Sequence, residues 1–169
     1  MSLPMLMLTG LGLGRLRPAP GSWGSLLPVG FALGMAWMVG VDARWMIDAA
    51  LGLLGLLFAI ACVRFGDEAE RVTGRKDPSI VVADEVAGQA LALLLLPWRE
   101  AVGGDGWMRN AAMAGIAFLA FRGLDIWKPP PARGLQRLGG GWGILIDDLI
   151  AGGYALLLTQ LVVRLALPL

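Results

Sequence analysis

Five long stretches of this chain are apolar and poor in charge, and they constrain its fold more than any other feature. They run approximately over residues 25–41, 45–63, 86–98, 110–121 and 149–167. A helix that crosses about 30 Å of hydrocarbon needs about 20 residues, so the first, second and fifth stretches are long enough. The third and fourth span only with their polar flanks and otherwise fit buried helices of a soluble bundle or half-inserted segments. We predict an all-α polytopic membrane bundle of about five embedded helices, in one domain over residues 1–169.

The composition excludes several classes of protein. Hydrophobic residues make up 57% of the chain, charged residues 16%, and the net charge is only +1. These values argue against a disordered chain and against a nucleic-acid-binding tail, so no nucleic-acid partner is expected. Histidine is absent, which excludes His-ligated zinc, Ser-His-Asp triads and phosphohistidine phosphatases. The single Cys62 lacks the phosphate-binding loop ending in Arg that a cysteine phosphatase requires.

The basic residues are distributed unequally between the two sides of such a bundle. If the five helices alternate in direction, the N-terminal segment and the connections 64–82 and 122–143 lie on one face. That face carries ten of the fourteen basic residues, namely Arg15, Arg17, Arg64, Arg71, Arg75, Lys76, Arg122, Lys128, Arg133 and Arg137. The other face carries Arg44, Arg99, Arg109 and Arg164. The positive-inside rule therefore predicts that the first face is cytoplasmic.

Acidic residues lie at the cytoplasmic ends of three predicted helices. Asp84 and Glu85 begin the third helix, Asp125 ends the fourth, and Asp147 and Asp148 begin the fifth. Acids at a helix N-terminus can simply complement the helix dipole, but Asp125 lies at a C-terminus, where the dipole disfavours a negative charge. Carboxylates that converge repel one another unless a cation holds them. Without His or Cys ligands, this pattern predicts a hard cation, Mg²⁺ first and Mn²⁺ or Ca²⁺ next, bound by a subset of the five acids.

Two glycine-rich segments on the same face precede predicted helices, at residues 20–25 and 139–143. Backbone N–H groups at a helix N-terminus can bind an anion, and Ser22 or Ser25 could cap the helix or hydrogen-bond a phosphate. For each segment alone, a turn or a cap is the simpler interpretation. Neither segment matches a nucleotide P-loop, because no Gly-Lys-Ser/Thr follows.

Two basic side chains lie near the end of the fourth helix. Arg122 precedes Asp125 by three residues, so the two share a helix face. Arg122 could pair with that acid or bind a phosphate through two parallel hydrogen bonds. Lys128 could bind a phosphate as a point charge.

Four motifs, in this order, resemble the phosphatidylglycerophosphatase A family. They are PGSWGSL at residues 20–26, DPSIVVADEVAG at 77–88, FRGLDIWKPPP at 121–131 and GGWGILIDDLIAG at 140–152. The resemblance extends from about residue 9 to 166, nearly the whole chain. It departs from the family at Ser22, where the family usually has Thr, although Ser retains the hydroxyl group.

The resemblance implies a Mg²⁺-dependent, multi-pass phosphatase of the bacterial inner membrane, with its active site facing the cytoplasm. The family converts phosphatidylglycerophosphate to phosphatidylglycerol in phospholipid biosynthesis, so the expected partner is a membrane phospholipid; the oligomeric state stays undetermined. The implied catalytic residues, a subset of them metal ligands, are Asp84, Glu85, Asp125, Asp147 and Asp148. The implied phosphate-binding residues are Ser22, Gly24, Ser25, Arg122 and Lys128. The nucleophile is either water activated by the cation or one of the aspartates.

Two other functions fit parts of the sequence. The CDP-alcohol phosphotransferases are also Asp-rich membrane proteins, and Asp105-Gly106 begins as their motif does, but no aspartate follows until Asp125. A small membrane cation channel or transporter would also have acids at its helix mouths. It would require acids deeper in the bilayer, where only Asp48 is a candidate, and Asp48 lies toward the opposite face.

Overall fold

The computed structural model describes residues 2–39, 41–101, 105–135 and 139–166, and within these ranges the chain is helical without strands. The helices are α1 (Leu3–Leu8), α2 (Pro20–Met38), α3 (Trp45–Thr73), α4 (Ala83–Ala92), α5 (Gly106–Trp127), α6 (Ala132–Leu135) and α7 (Gly140–Ala166). Short 3-10 turns lie at Leu13–Arg15 and Val41–Ala43. The all-α prediction is confirmed.

Two of the described helices, α3 and α7, are long and apolar enough to cross a membrane. The expected number of about five is therefore corrected to two by this criterion. The helix α4 ends at Ala92 and has only 10 residues, about 15 Å, which is too short to cross a membrane. In α5, Arg109, Arg122 and Asp125 interrupt the apolar sequence, and in α2 glycine, serine and proline lower the mean hydropathy.

The short helix α4 lies at the centre of the bundle and contacts α2, α3, α5 and α7. Its contact with α7 depends on glycines, because a Cβ added at Gly152 would overlap the backbone of Gly88. A Cβ added at Gly88 would in turn lie closer than 3.0 Å to the ring of Phe121. This close approach brings the first turn of α4 next to the N-terminal half of α7, where the acidic residues lie.

The opposite end of the bundle is held by polar side chains that bind backbone groups. Asp48 Oδ1 accepts a hydrogen bond from the N–H of Leu95 at 2.8 Å. The Asn110 side chain accepts a bond from the Arg99 N–H and donates one to the Arg99 carbonyl. A cavity of about 660 Å³ beside Trp98 lies at this end and is lined by none of the predicted site residues. Asp48, the candidate acid for a channel or transporter, is thus engaged in a hydrogen bond to the backbone.

Candidate active site

Three of the five predicted acids meet where α4 and α7 pack together. Carboxylate oxygens of Asp84, Glu85 and Asp148 lie within 4.8 Å of one another. Asp84 and Glu85 are in the first turn of α4, and Asp148 is two turns into α7. Asp148 is therefore more than 60 residues from the other two in the sequence, and the helix packing makes it their neighbour.

These three carboxyl groups are largely buried and incompletely hydrogen-bonded. Asp84 is 6% exposed and Asp148 is 3% exposed. Within the described part of the chain, Asp84 Oδ1, Glu85 Oε2 and Asp148 Oδ2 are buried and accept no hydrogen bond. A buried carboxylate oxygen without a partner is costly, and a divalent cation is the group that satisfies three such oxygens together. The donor set, oxygen atoms only, fits a hard cation such as Mg²⁺.

The pKa values of the two acids in the first turn of α4 are also consistent with a bound cation. Burial, and then the negative charge of Glu85, raise the pKa of Asp84 well above its usual value. Burial, and then the charge of Asp148, raise the pKa of Glu85 to about 8. A cation bound among the three groups would oppose both effects, because it favours the ionised carboxylates.

Asp125 lies beside this cluster and binds Arg122. The Arg122 Nη1 atom lies 2.6 Å from Asp125 Oδ2 and 4.0 Å from Glu85 Oε1. Of the two interpretations of Arg122, the structure shows the pairing with Asp125, which places a guanidinium group at the edge of the acidic cluster. Phosphate binding by Arg122 stays a prediction.

Asp147 points away from its neighbour Asp148 and pairs with Lys128. Lys128 Nζ donates a hydrogen bond of 2.5 Å to Asp147 Oδ2. Burial alone would lower the pKa of Lys128, but the bond and the charge of Asp147 outweigh it and raise that pKa. Lys128 therefore stays charged beside the cluster. Adjacent helix residues differ by about 100° in direction, which separates Asp148, in the cluster, from Asp147, on the lysine.

The first glycine-rich segment is the first part of α2 rather than a loop before it. Proline at the first helical position is preorganised for a helix, so α2 begins at Pro20. Ser25 is buried and its hydroxyl donates to the Gly21 carbonyl, while Gly24 packs against Val82. Assignment of Ser25, Gly24 and Ser22 to phosphate binding stays a prediction.

Gly21 is the residue of this segment that meets the acidic cluster. A Cβ at Gly21 would overlap Glu85 Oε1 and would lie 3.1 Å from both terminal nitrogens of Arg122. Our sequence reasoning did not assign it to the site. The signal that could have identified it is a glycine at the N-terminus of a helix that belongs to one of the four motifs.

The second glycine-rich segment acts as a helix start, in agreement with the simpler interpretation. The Gly141 N–H donates a 3.0 Å hydrogen bond to Asp67 Oδ1 of α3. Gly140 has φ +66°, and a Cβ there would overlap the same carboxylate. Asp67 thus caps α7 and fixes its N-terminus against α3.

Comparison with known proteins gives one consistent family. The family model described as PgpA, phosphatidylglycerophosphatase A, matches residues 6–163. Phosphatidylglycerophosphatase A of Escherichia coli is 31% identical over 87% of this chain and 76% of its own length; the Haemophilus influenzae protein of that name is 31% identical over 91% and 85%. A Bacteroides thetaiotaomicron protein with the provisional name phosphatidylinositol-3-phosphatase is 34% identical over 92% and 91%. No solved structure matches this chain. The chain belongs to the phosphatidylglycerophosphatase A family.

Proposed function

We propose that this chain is a phosphatidylglycerophosphatase that uses a divalent cation, Mg²⁺, held by Asp84, Glu85 and Asp148. It would hydrolyse the terminal phosphomonoester of phosphatidylglycerophosphate and release phosphatidylglycerol and phosphate, a step of phospholipid biosynthesis. The observation that carries the proposal is the set of three buried carboxylates within 4.8 Å, in a chain of this family. The same observations do not favour the channel or transporter alternative.

The cation and the basic side chains have complementary tasks in this proposal. When bound, Mg²⁺ supplies charge neutralisation at the phosphate oxygens. Arg122 is held by Asp125 with its Nη1 near Glu85, so it presents a fixed guanidinium to a phosphate beside the carboxylates. Lys128 adds a second positive charge, and both stabilise the negative charge that develops in phosphoryl transfer.

Hydrolysis requires a nucleophile and a proton acceptor. An oxygen nucleophile forms a bond to phosphorus while the bond between phosphorus and the glycerol oxygen breaks, and that oxygen takes a proton. The nucleophile is a water molecule, which releases phosphate directly, or an aspartate of the cluster, whose aspartyl phosphate is then cleaved by a water molecule that releases phosphate and restores the carboxylate. Asp147, held by Lys128 next to Asp148, is a candidate to accept the proton from an attacking water molecule.

The position of the cluster along the helices suits a lipid head group. The cluster lies toward the end of the bundle where α3 ends and α7 begins, and these are the two helices apolar enough to cross a membrane. A phosphomonoester lipid keeps its acyl chains in hydrocarbon and its phosphate at the interface. The topology predicted from the sequence assigns ten of the fourteen basic residues to this side, and on that basis we place the cluster at the cytoplasmic face of the bacterial inner membrane, in a multi-pass protein.

The test is phosphate release from phosphatidylglycerophosphate by the purified chain in mixed micelles. We expect a chelator to stop release and Mg²⁺ to restore it. The variants Asp84→Asn, Glu85→Gln and Asp148→Asn should each lower kcat by about 10²–10³-fold or more, because each removes a charged ligand at the reacting phosphate. Glu68→Gln is the control, since Glu68 is an exposed acid of α3 outside the cluster.

The same assay with phosphatidylinositol 3-phosphate separates the two substrates for which the relatives are named. Faster hydrolysis of that lipid would reassign the substrate but keep the phosphatase. Full activity of all three carboxylate variants, or activity indifferent to the chelator, would contradict the proposed cation site.

A further inference from the structure

The helices α3 and α7 touch at their polar ends and separate toward their middle. At the contact, a Cβ added to Gly66 would lie closer than 3.0 Å to the Gly141 backbone, so the two helices are in van der Waals contact there. Away from it, two cavities of about 540 and 250 Å³ lie between the helices and share Leu56, Ala59 and Leu149 among their lining residues. We call this continuous space the α3–α7 groove.

The middle of the groove is apolar and open to the side. Its walls include Leu56 and Ile60 of α3, which are 56% and 54% exposed. Its floor is α4, through Ala87 and Leu91. Gly52 widens the groove, since a Cβ added there would meet nothing within 4 Å. If α3 and α7 cross a membrane, an exposed apolar groove between them is in contact with the acyl chains of lipids.

The polar end of the groove carries a positive charge and an interfacial aromatic residue. Arg64, Asp67 and Trp142 line it. Asp67 caps α7, whereas Arg64 is exposed, and Trp142 is 57% exposed. An exposed tryptophan beside a basic residue is typical of the level of phospholipid head groups. Phosphatidylglycerophosphate has a phosphodiester between its acyl chains and its terminal phosphate, and Arg64 complements that diester in charge.

The floor of the groove leads to the acidic cluster. Asp84, Ala87 and Leu91 are spaced by three and four residues on α4, so they lie on one face of that helix. A lipid chain lying along Leu91 and Ala87 thus extends toward the carboxylate that we assign to the cation. The groove floor and one carboxylate of the cluster therefore share one face of α4.

We propose that the α3–α7 groove binds an acyl chain of the lipid substrate, with Arg64 at the phosphodiester; this inference rests on the proposed function. The groove makes the enzyme selective for long-chain lipid phosphomonoesters over short-chain or water-soluble ones. Each methylene that loses its contact weakens binding about fourfold.

The experiment compares the variant Gly52→Leu with the matched variant Gly30→Leu. Gly52 lines the groove, Gly30 is an exposed glycine of α2, and a Cβ at either residue meets nothing within 4 Å. Both changes replace a helical glycine with leucine, which favours the helix. Each variant is assayed for kcat/KM on dioleoyl and on dihexanoyl phosphatidylglycerophosphate.

We expect Gly52→Leu to lower kcat/KM for the dioleoyl lipid about fifteenfold, the loss of two methylene contacts, and to leave the dihexanoyl lipid within about twofold. Gly30→Leu should change neither value. Arg64→Gln should raise KM for both lipids, since both have the diester, but not for glycerol 3-phosphate.

Equal effects of Gly52→Leu on the long and short lipids, in an enzyme whose parent chain hydrolyses them, would overturn the groove and leave the proposed function intact. If the parent chain instead prefers phosphatidylinositol 3-phosphate, the same comparison of chain lengths on that lipid decides the groove. A parent chain that hydrolyses no lipid phosphomonoester would overturn the proposed function itself.

Discussion

Gly21 offers a test in which activity should fall far more than stability. In Gly21→Ala the added methyl group would lie closer than 3.0 Å to Glu85 Oε1 and 3.1 Å from both terminal nitrogens of Arg122. The backbone can accept alanine, because Gly21 does not have a positive φ. Either the Glu85 carboxylate or the start of α2 must therefore move, by roughly 1 Å, and a displacement of that size at a reacting group costs about 10²-fold in rate.

Folding should not suffer by the same amount. Alanine is favoured over glycine in a helix by up to about 1 kcal/mol, which partly offsets the displacement. We expect kcat for phosphatidylglycerophosphate to fall about 10²-fold, the Mg²⁺ concentration for half-maximal activity to rise, and the thermal midpoint in detergent to change by only a few degrees. Gly30→Ala, in open space on the same helix, is the control and should keep full activity. Unchanged kcat in Gly21→Ala would refute the contact between α2 and the acidic cluster.

Three further predictions concern the ion pair, the helix contact and pH. Lys128→Met removes the charged partner of buried Asp147 and should lower kcat/KM by about 10–100-fold. Lys128→Arg keeps the positive charge and should retain more of the activity; equal kcat/KM in the two variants would contradict a role for the ion pair. Gly141→Ala would press against the Cys62 carbonyl and should destabilise the protein by about 1–3 kcal/mol, seen as a lower thermal midpoint, while Gly153→Ala should not. Because the pKa of Glu85 is raised to about 8 and its proton must leave before a cation binds, Mg²⁺ affinity should increase as pH rises from 6 to 8; a half-activating concentration independent of pH would disprove this.

The relatives are named for two different substrates, phosphatidylglycerophosphate and phosphatidylinositol 3-phosphate. The proposed site contains groups suited to either lipid. In the proposed site a cation on the three carboxylates, together with Arg122 and Lys128, would bind a terminal phosphate, which both lipids have. What differs between the lipids is the group between the diester and that phosphate, glycerol in one and inositol in the other. Selectivity between them is therefore expected to depend on the space around the cluster rather than on the charged residues themselves.

Local properties of the sequence were sufficient for several features. Apolar blocks predict helices because hydropathy and length act over neighbouring residues, and each predicted stretch overlaps a helix. The acids at helix ends were sufficient to predict that carboxylates of different helices meet. That they bind a cation stays a prediction. The pairing of Arg122 with Asp125 was one of two interpretations that the sequence offered, because residues three apart share a helix face.

Only the tertiary structure decided which acids meet. All five candidates lie at one end of the bundle by sequence, but the close packing of Gly88 against Gly152 brings Asp84 and Glu85 to Asp148. The rotation of α7 then directs Asp147 to Lys128 instead. No local pattern encodes these pairings, since they depend on the distance and rotation between different helices. Glu85 and Asp148 are more than 60 residues apart in the sequence, and Lys128 and Asp147 are 19 apart. The sequence analysis missed Gly21 for the same reason, because its importance lies in what it packs against. It overestimated the number of spanning helices because α4 ends after 10 residues and because α2 and α5 are less apolar than α3 and α7.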